Sequence, residues 1–348
     1  MTLTQVAIFT KQIIAISAFT LILGTISFVG YKIWYVHYLA NLPPVEEKPD
    51  IKFGNLPLPD FPQSDVSTSN FSYSIDTTTG GLPKTGIDAG FNKLAKVYFV
   101  TKTFAGLLSA EKSQSLAEKF DILTNPQILS ETHYQFTEGD KILNIDLDTG
   151  NFIYTKQATI SARENLDNDN QLVLDFEKIL NNLGIFQSDL TKGRTKVVLL
   201  KREGNSFTPT ALRSEADAAQ ISLWQTLDDK SIFTPQYDTS LISTTVYKSA
   251  NNLQNYLSLK FTYYPIDTST FATYPIKSAD EALSDLKSGK GVVIIKPPKP
   301  NVSVISVYLG YFLSQNYSPY LQPIFVFEGP EFVAYVPAIT EQFQTPAR

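Results

Sequence analysis

The tripeptide Asp148-Thr149-Gly150 has the sequence of the catalytic loop of aspartic proteases. Those enzymes need two such loops, because a pair of carboxylates must share one proton. The sequence has no second copy of this tripeptide. The most similar segment, DTTTG at residues 76–80, has a different spacing. Asp, Thr and Gly also suit a tight turn between two strands. The sequence therefore predicts a turn at this position, not a protease site.

Residues 167–170, Asp-Asn-Asp-Asn, begin like the loop of an EF-hand calcium site. That loop needs oxygen ligands at alternating positions and a Glu at position twelve. Here Gln171 and Leu172 follow, and position twelve is Lys178. We therefore expect a polar loop that caps the next helix, and no metal site.

The composition excludes most other kinds of catalytic or metal-binding site. The chain has no Cys, which removes disulfides, thiolate catalysis and thiolate metal sites. Its two His, His37 and His133, lie 96 positions apart, so the sequence contains no HExxH motif. Phosphate-binding, nucleophile-elbow and dinucleotide motifs are also missing from the sequence. We expect no catalytic residue, no cofactor and no enzyme activity, although a Ser-Lys dyad stays open because both residues are numerous.

The charge balance argues against nucleic acid as a partner. Residues 49–348 carry 26 basic and 32 acidic side chains, without a cluster of Lys and Arg. Affinity for phosphate backbones comes from such clusters. Hydrophobic residues make up 43% of the chain and charged residues 18%, which is enough apolar content for a folded core.

Tyrosine is concentrated at the C-terminal end of the chain. Ten of the 18 Tyr lie beyond residue 246, and Tyr combines contact area with a polar tip, as interfaces favour. We predict a partner-binding surface that includes Tyr308, Tyr311, Tyr317 and Tyr320. The alternative is that these rings face the core of a sheet. For the hairpin candidate at residues 320–339, the continuous apolar content predicts burial on both faces.

An apolar segment near the N-terminus predicts a membrane span. Twenty uncharged residues lie between Lys11 and Lys32, enough for a helix about 30 Å long. We predict a transmembrane helix at residues 12–36. The aromatic side chains at its C-terminal end are expected at the membrane interface; they are Tyr31, Trp34, Tyr35 and Tyr38.

The alternative to a retained span is a cleaved signal peptide. The apolar stretch exceeds the usual length of a signal peptide and no Ala-x-Ala site follows closely, so we favour retention. Residues 1–11 are then a short cytoplasmic tail, and the body lies outside the cytoplasm. The expected location is the cell membrane, with the lipid bilayer contacted through residues 12–36.

Proline and helical periodicity divide the rest of the chain. Six Pro between Ala40 and Pro62 predict an extended spacer at residues 37–65. Three helix candidates, SAEKSQSLAEKFDI, LVLDFEKILNNLG and SADEALSDLKSG, are each followed by strand candidates without a βαβ rhythm. This order predicts an α+β fold in which each helix packs on an antiparallel meander. The predicted units are 66–165, 166–265 and 266–340, with a tail at 341–348.

This order of features resembles the PepSY-like fold, and in particular the membrane-anchored accessory proteins of the YycH/YycI type. The turn at residues 146–150 carries the resemblance, together with YPIKSADEALSDLKSGKG, ISVYLGYF and YLQPIFVFEGPEFVAYVPAI. It covers about residues 95–340 and is strongest over 274–339. The resemblance implies tandem PepSY-like units outside the cytoplasm, no catalysis, and contact with a sensor kinase or another envelope protein.

The sequence thus favours a single-pass, non-enzymatic binding or regulatory protein of the bacterial envelope. The partner would be another membrane or envelope protein. An envelope hydrolase with paired carboxylates and a structural subunit of a secretion or surface assembly are the alternatives. Two acidic side chains about 5–10 Å apart in a cleft would favour the hydrolase.

Overall fold

The computed structural model describes residues 3–40, 48–78, 80–83, 93–157, 166–204, 206–227 and 230–345. The chain divides into two compact units, Met1–Lys48 and Pro49–Arg348, and the second is called the body below. Residues 41–47 of the predicted spacer and residues 346–348 of the predicted tail lie outside the described residues.

The described chain contains four α-helices and 21 strands, numbered here in chain order. The helices are α1 (Leu3–Ala40), α2 (Ser109–Lys119), α3 (Asp169–Leu183) and α4 (Ala279–Lys287). The strands of the N-terminal half are β1 (Leu56–Pro57), β2 (Ser72–Ile75), β3 (Leu94–Val100), β4 (Gln127–Ile128), β5 (His133–Glu138), β6 (Lys141–Asp146) and β7 (Phe152–Lys156). Those of the middle are β8 (Thr195–Glu203), β9 (Ser206–Pro209), β10 (Ala218–Leu223), β11 (Thr226–Leu227), β12 (Lys230–Phe233), β13 (Ile242–Val246) and β14 (Tyr256–Phe261). The last are β15 (Ile266–Pro275), β16 (Val292–Ile295), β17 (Asn301–Val304), β18 (Ser306–Phe312), β19 (Tyr320–Gly329), β20 (Phe332–Pro337) and β21 (Gln344–Thr345).

Helix α1 is long and apolar enough to span a membrane, with the candidate span at Phe19–Tyr38. A signal sequence near the N-terminus can meet the same criteria of length and hydropathy, so these features alone are consistent with either membrane anchoring or a signal sequence. The helix exceeds the predicted 12–36 at both ends, since it begins at Leu3, within the predicted tail 1–11, and continues to Ala40, within the predicted spacer.

A nine-stranded antiparallel sheet forms the first half of the body, in the order β4-β5-β6-β7-β14-β13-β10-β8-β9. Helices α2 and α3 share a single apolar core with these strands. Phe120 lies at the end of α2 and Phe176 lies on α3, and both are almost fully buried. Burial of apolar surface of this kind is the main contribution to stability.

The ends of α3 and α4 are set by local sequence. The Asn168 side chain accepts a hydrogen bond from the Gln171 N–H and caps α3. Gly184 ends that helix in the left-handed conformation, at φ 76°. On α4, Ser278 and Glu281 form a reciprocal capping box. The predicted capping of α3 is thus confirmed at Asn168, and its predicted end at Gly184 as well, but Asp169 and Asn170 already belong to the helix, which begins three residues before the predicted segment.

The second half of the body is an eight-stranded sheet with the central order β11-β12-β18-β19-β20-β16. Strand β3 pairs with both β15 and β19, and α4 packs on β20. The pairing of β12 with β18 is parallel, and the other pairs of this sheet are antiparallel. The fold is thus α+β with mainly antiparallel sheets, as predicted.

The hairpin of β19 and β20 lies at the centre of this half. Phe325 and Phe327 belong to one core together with α4, whereas Ile324 and Val326 belong to another core on the opposite face. All four side chains are fully buried. The prediction that this hairpin is covered on both faces is confirmed.

The prediction of a projecting spacer at 37–65 is wrong for residues 49–65, which pack on the rest of the body. Strand β1 pairs in parallel with β21, and Leu56 is fully buried. The Phe61 ring lies 4.9 Å from that of Phe312, edge to face. Residues 50–61 are called the strap below. The Pro-rich composition favours an extended backbone, and an extended segment can lie along a sheet as well as project from it.

Strand pairing crosses the boundaries predicted between the units 66–165, 166–265 and 266–340. Strand β3, in the first predicted unit, pairs with β15 in the third. Strands of the first two units share the nine-stranded sheet and its core. The predicted tail 341–348 is corrected for residues 341–345, which form a short 3-10 helix and β21.

Candidate functional site

The four aromatic residues predicted at the membrane interface lie along one face of α1. The rings of Tyr31 and Tyr35 stack at 5.9 Å between centroids, and those of Trp34 and Tyr38 stack at 5.4 Å. Residues three and four positions apart are neighbours on a helix, which explains the contacts. Their location at a bilayer interface stays a prediction.

The four tyrosines predicted to bind a partner make contacts within the body. Tyr308 donates a hydrogen bond to Glu328 Oε2 at 3.1 Å, and burial raises its pKa. Tyr311 is only 6% exposed, which leaves it unavailable to a partner. Tyr317 donates to the Val100 carbonyl at 3.0 Å, and the Tyr320 ring lies 5.1 Å from that of Phe53. Tyr311 thus packs within the fold, whereas Tyr308, Tyr317 and Tyr320 are half-buried, and their role in binding a partner stays a prediction.

An apolar groove of about 490 Å³ lies beside α2 and is called the α2 groove. Helix α2, the turn after β6 and the C-terminal end of α3 form its walls. Its apolar lining consists of Leu108, Leu116, Ile145, Leu147, Leu183 and Ile185. Its volume is in the range of ligand-binding sites, about 300–1,000 Å³.

One end of the α2 groove is closed by a contact between the ends of two helices. The Lys119 ammonium donates hydrogen bonds to the carbonyls of Asn182 at 3.3 Å and Leu183 at 3.0 Å. These carbonyls belong to the last turn of α3, where a cation is favoured by the helix dipole. The contact fixes the width of the groove.

The other end carries three exposed apolar side chains, called the apolar lip. Phe104, Leu107 and Leu108 are 70%, 98% and 52% exposed. Leu108 also lines the groove, so the lip meets the groove at this residue. Exposed apolar surface of this kind is typical of interaction sites.

The Asp148-Thr149-Gly150 stretch forms the predicted turn, and the turn positions the lip. The Asp148 carboxylate accepts a hydrogen bond from the Ala105 N–H at 2.8 Å. Asp146 in turn accepts bonds from the Asp148 N–H and the Thr149 hydroxyl. The Asp148 carboxylate, which belongs to the protease-like tripeptide, thus holds the loop at Ala105 in place.

The groove has little of the chemistry required for hydrolysis. Glu111 is the one carboxylate among its lining residues, whereas the hydrolase alternative predicted a pair. The Ser113 hydroxyl donates to the Ala110 carbonyl, and Lys119 is bonded to α3, so no contact joins these two as a dyad. Within the described ranges, no group of three or more His, Asp and Glu could hold a metal ion.

Sequence reasoning missed the apolar lip. The signal was present in KTFAGLLSAEK, where three large apolar residues occur in a glycine-containing segment with neither helical nor strand periodicity. A segment of this type is usually polar, because loops lie at the surface.

Comparisons with known proteins find no matching family model and no matching curated protein. Solved structures similar to the chain include the following two. One is an uncharacterized protein from Eubacterium rectale ATCC 33656, with 11% identity, a TM-score of 0.36, and coverage of 76% of this chain and 87% of that chain. The other is the Bacillus megaterium YpeB C-terminal domain, with 10% identity, a TM-score of 0.29, and coverage of 69% of this chain and 95% of that one. Both TM-scores are below 0.5.

Proposed function

We propose that this protein is a membrane-tethered, non-enzymatic binding protein of the bacterial envelope. The observation that carries the proposal is the α2 groove, whose apolar lining reaches the exposed lip at Leu108, with Leu107 98% exposed. On this proposal the body lies outside the cytoplasm and binds an apolar segment of another membrane or envelope protein. A sensor kinase regulated by this contact is the partner type that the sequence resemblance favours.

The architecture supports a binding role for tandem PepSY-like units. Each of α2, α3 and α4 is followed by antiparallel strands, which is the order of elements in that fold. The groove is open along α2 and apolar at its base, so it suits an amphipathic helix with anchors at i, i+3 and i+7. Burying the lip side chains would contribute roughly 25 cal/mol for each Å² of apolar surface.

The tether is tested by membrane extraction of the native protein. We expect it to stay with the membrane in alkaline carbonate, and mass spectrometry of the intact chain to include Phe19–Tyr38. A chain that begins after this segment would identify a signal sequence instead, and would remove the tether from the proposal.

The binding site is tested by photo-crosslinking in native membranes. A photoreactive amino acid replaces Leu108 or, as a matched control, Leu174 on α3, which is 58% exposed. We expect an adduct with one membrane protein from position 108 and none from position 174. Adducts at neither position, or the same adducts at both, would contradict the proposal.

A charge substitution then separates loss of binding from loss of folding. Leu108 occupies the N-cap of α2 and makes no capping hydrogen bond, whereas Asp is a favoured N-cap residue. We expect Leu108→Asp to keep the melting temperature and to lower capture of the crosslinked partner on the order of tenfold. Leu174→Asp is the matched control and should leave capture unchanged.

A further inference from the structure

The strap crosses the body beside the turn that joins β18 to β19. The Gln322 side chain donates from Nε2 to the Pro57 carbonyl at 2.8 Å, and Gln322 lies opposite Phe312 on these two strands. The Phe61 ring packs edge to face on the Phe312 ring, with 4.9 Å between the centroids. Residues 57–61 of the strap are therefore fixed over the ends of both strands.

A pocket of about 10 Å³ lies between this part of the strap and the β18–β19 turn. Pro59 and Asp60 line it from the strap, and Ser314, Ser318 and Gln322 contribute polar side chains from the other wall. A space of this size holds one particle as large as a water molecule. The chemistry of the lining then decides which particle binds.

The amide of Gln322 presents an unused acceptor in this wall. The side chain is 2% exposed, and its Oε1 has no hydrogen-bond partner within the part of the chain that the structure describes. The bond from Nε2 to Pro57 fixes which atom of the amide is the oxygen. A buried acceptor without a donor is unfavourable, so a donor or a cation at this oxygen would stabilise the docked strap.

Three more side chains offer oxygen acceptors to the pocket. The Ser314 hydroxyl donates its hydrogen to the Asn316 carbonyl, and that of Ser318 donates to the Tyr320 carbonyl at 3.4 Å. Both hydroxyl oxygens therefore keep lone pairs for another donor. Asp60 is exposed, and its carboxylate forms no ion pair or hydrogen bond with the described residues. The pocket thus combines one negative charge with acceptors that lack a donor.

We propose that this pocket binds a compact monovalent cation, of the size of K⁺ or ammonium, and that the bound cation ties the strap to the β18–β19 turn. Oxygen ligands suit hard cations, and both of these ions are close to a water molecule in size. The single carboxylate balances one positive charge, whereas Ca²⁺ takes about six to eight oxygen ligands, often from several carboxylates. The inference goes beyond the proposed function, because it depends neither on the tether nor on the α2 groove.

The absence of Cys from the chain permits a direct test on the full-length protein in detergent. Leu56 of the strap is fully buried, so iodoacetamide reaches the thiol of Leu56→Cys only when the strap detaches. Ala282 on α4 is also fully buried, and Ala282→Cys reports opening elsewhere in the body. Labelling rates are measured in KCl, NH₄Cl and choline chloride at equal ionic strength, since choline is too large for the pocket.

We expect slower labelling of position 56 in KCl and NH₄Cl than in choline chloride, and equal rates at position 282 in all three salts. The slowing should reach about tenfold at a cation concentration about ten times the dissociation constant, because the cation binds only the docked strap. Asp60→Asn keeps the shape of the side chain and removes its charge, so it should abolish the difference. Asp65→Asn removes the same charge from an exposed position outside the pocket and should preserve the difference.

Equal labelling of position 56 in the three salts would overturn the inference and would indicate a water molecule in the pocket. A difference that persists in Asp60→Asn would also overturn it, as would equal slowing at position 282, which would indicate a general effect of salt.

The melting temperature of the Cys-free protein is a second measurement, which does not depend on a substitution at Leu56. It should be higher in KCl and NH₄Cl than in choline chloride, and Asp60→Asn should remove that difference. Equal melting temperatures in the three salts would contradict a cation that holds the strap.

Discussion

At the scale of single residues, Arg194 joins the two large sheets, and Gly193 beside it packs on Trp224, which follows β10 of the nine-stranded sheet. A Cβ atom on Gly193 would lie 1.6 Å from the Trp224 carbonyl oxygen, so the backbones are too close for any side chain. The Arg194 guanidinium stacks 4.0 Å from the Trp224 ring and donates to the Tyr237 carbonyl at 2.7 Å. Arg194 precedes the nine-stranded sheet, and Tyr237 follows β12 of the other sheet.

We expect Gly193→Ala to lower the free energy of unfolding by about 3 kcal/mol or more, because backbone must move to relieve the overlap. Urea unfolding followed by Trp fluorescence measures the change. Gly106→Ala is the control, since a Cβ there meets nothing within 4 Å. Equal urea midpoints for Gly193→Ala and Gly106→Ala would show that Gly193 is less tightly packed on Trp224 than the structure indicates.

At the scale of elements, α4 depends on its capping box. The Ser278 hydroxyl accepts a hydrogen bond from the Glu281 N–H at 3.2 Å, and the Glu281 carboxylate accepts one from the Ser278 N–H at 2.7 Å. We expect Ser278→Ala to destabilise the body by about 1 kcal/mol, because an orphan N–H of the first turn loses its partner. Thermal unfolding should show this as a lower melting temperature.

Ser284→Ala provides the control on the same helix, since Ser284 is exposed in its interior. Alanine has a higher helix propensity than serine, so we expect no loss of stability there. A loss of equal size in both variants would mean that hydroxyl removal, and not the cap, is responsible.

The elements also show how much the sequence could predict. Helices α3 and α4 were predicted because their caps lie within four residues of the helix. The hairpin at 320–339 was predicted because its two strands adjoin. The strap was not, since Leu56 and Gln344 pair across almost the whole chain and no local signal reports such a contact.

The candidate site also has some features that local sequence predicts and others that depend on distant contacts. The turn at Asp148 follows from its residue types, but its bond to Ala105 joins residues 43 positions apart. The exposure of Leu107 depends on which elements pack over the loop, and hydrophobicity alone would suggest burial. Periodicity does not distinguish a strand that faces solvent from one that faces a second core, so the sequence leaves both interpretations of Tyr311 open, and packing decides its burial.

At the scale of the whole molecule, buried tyrosines make stability depend on alkaline pH. Burial raises the pKa of Tyr154, Tyr256, Tyr308 and Tyr335 above the ordinary value of about 10. Their contribution is fully present below that pH, and it is lost as the pH rises because the unfolded chain releases phenolic protons that the fold retains. Burial lowers the pKa of Lys260, which acts in the opposite direction.

We therefore expect the melting temperature to fall steeply from about pH 10 upward, with phenolate absorbance appearing together with unfolding. Tyr335→Phe keeps the ring and removes one buried phenol, so its melting temperature should fall less steeply with pH. Phenolate absorbance that develops fully near pH 10 in the folded protein would contradict this expectation.

The route of the chain through the strap has a mechanical consequence. Tension transmitted along the chain from residue 48 reaches the bonds of Asp50 and Ile51 to Thr273 before it reaches either large sheet. The short β1–β21 pair follows those bonds along the chain. We therefore expect the strap to detach under tension before either large sheet unfolds.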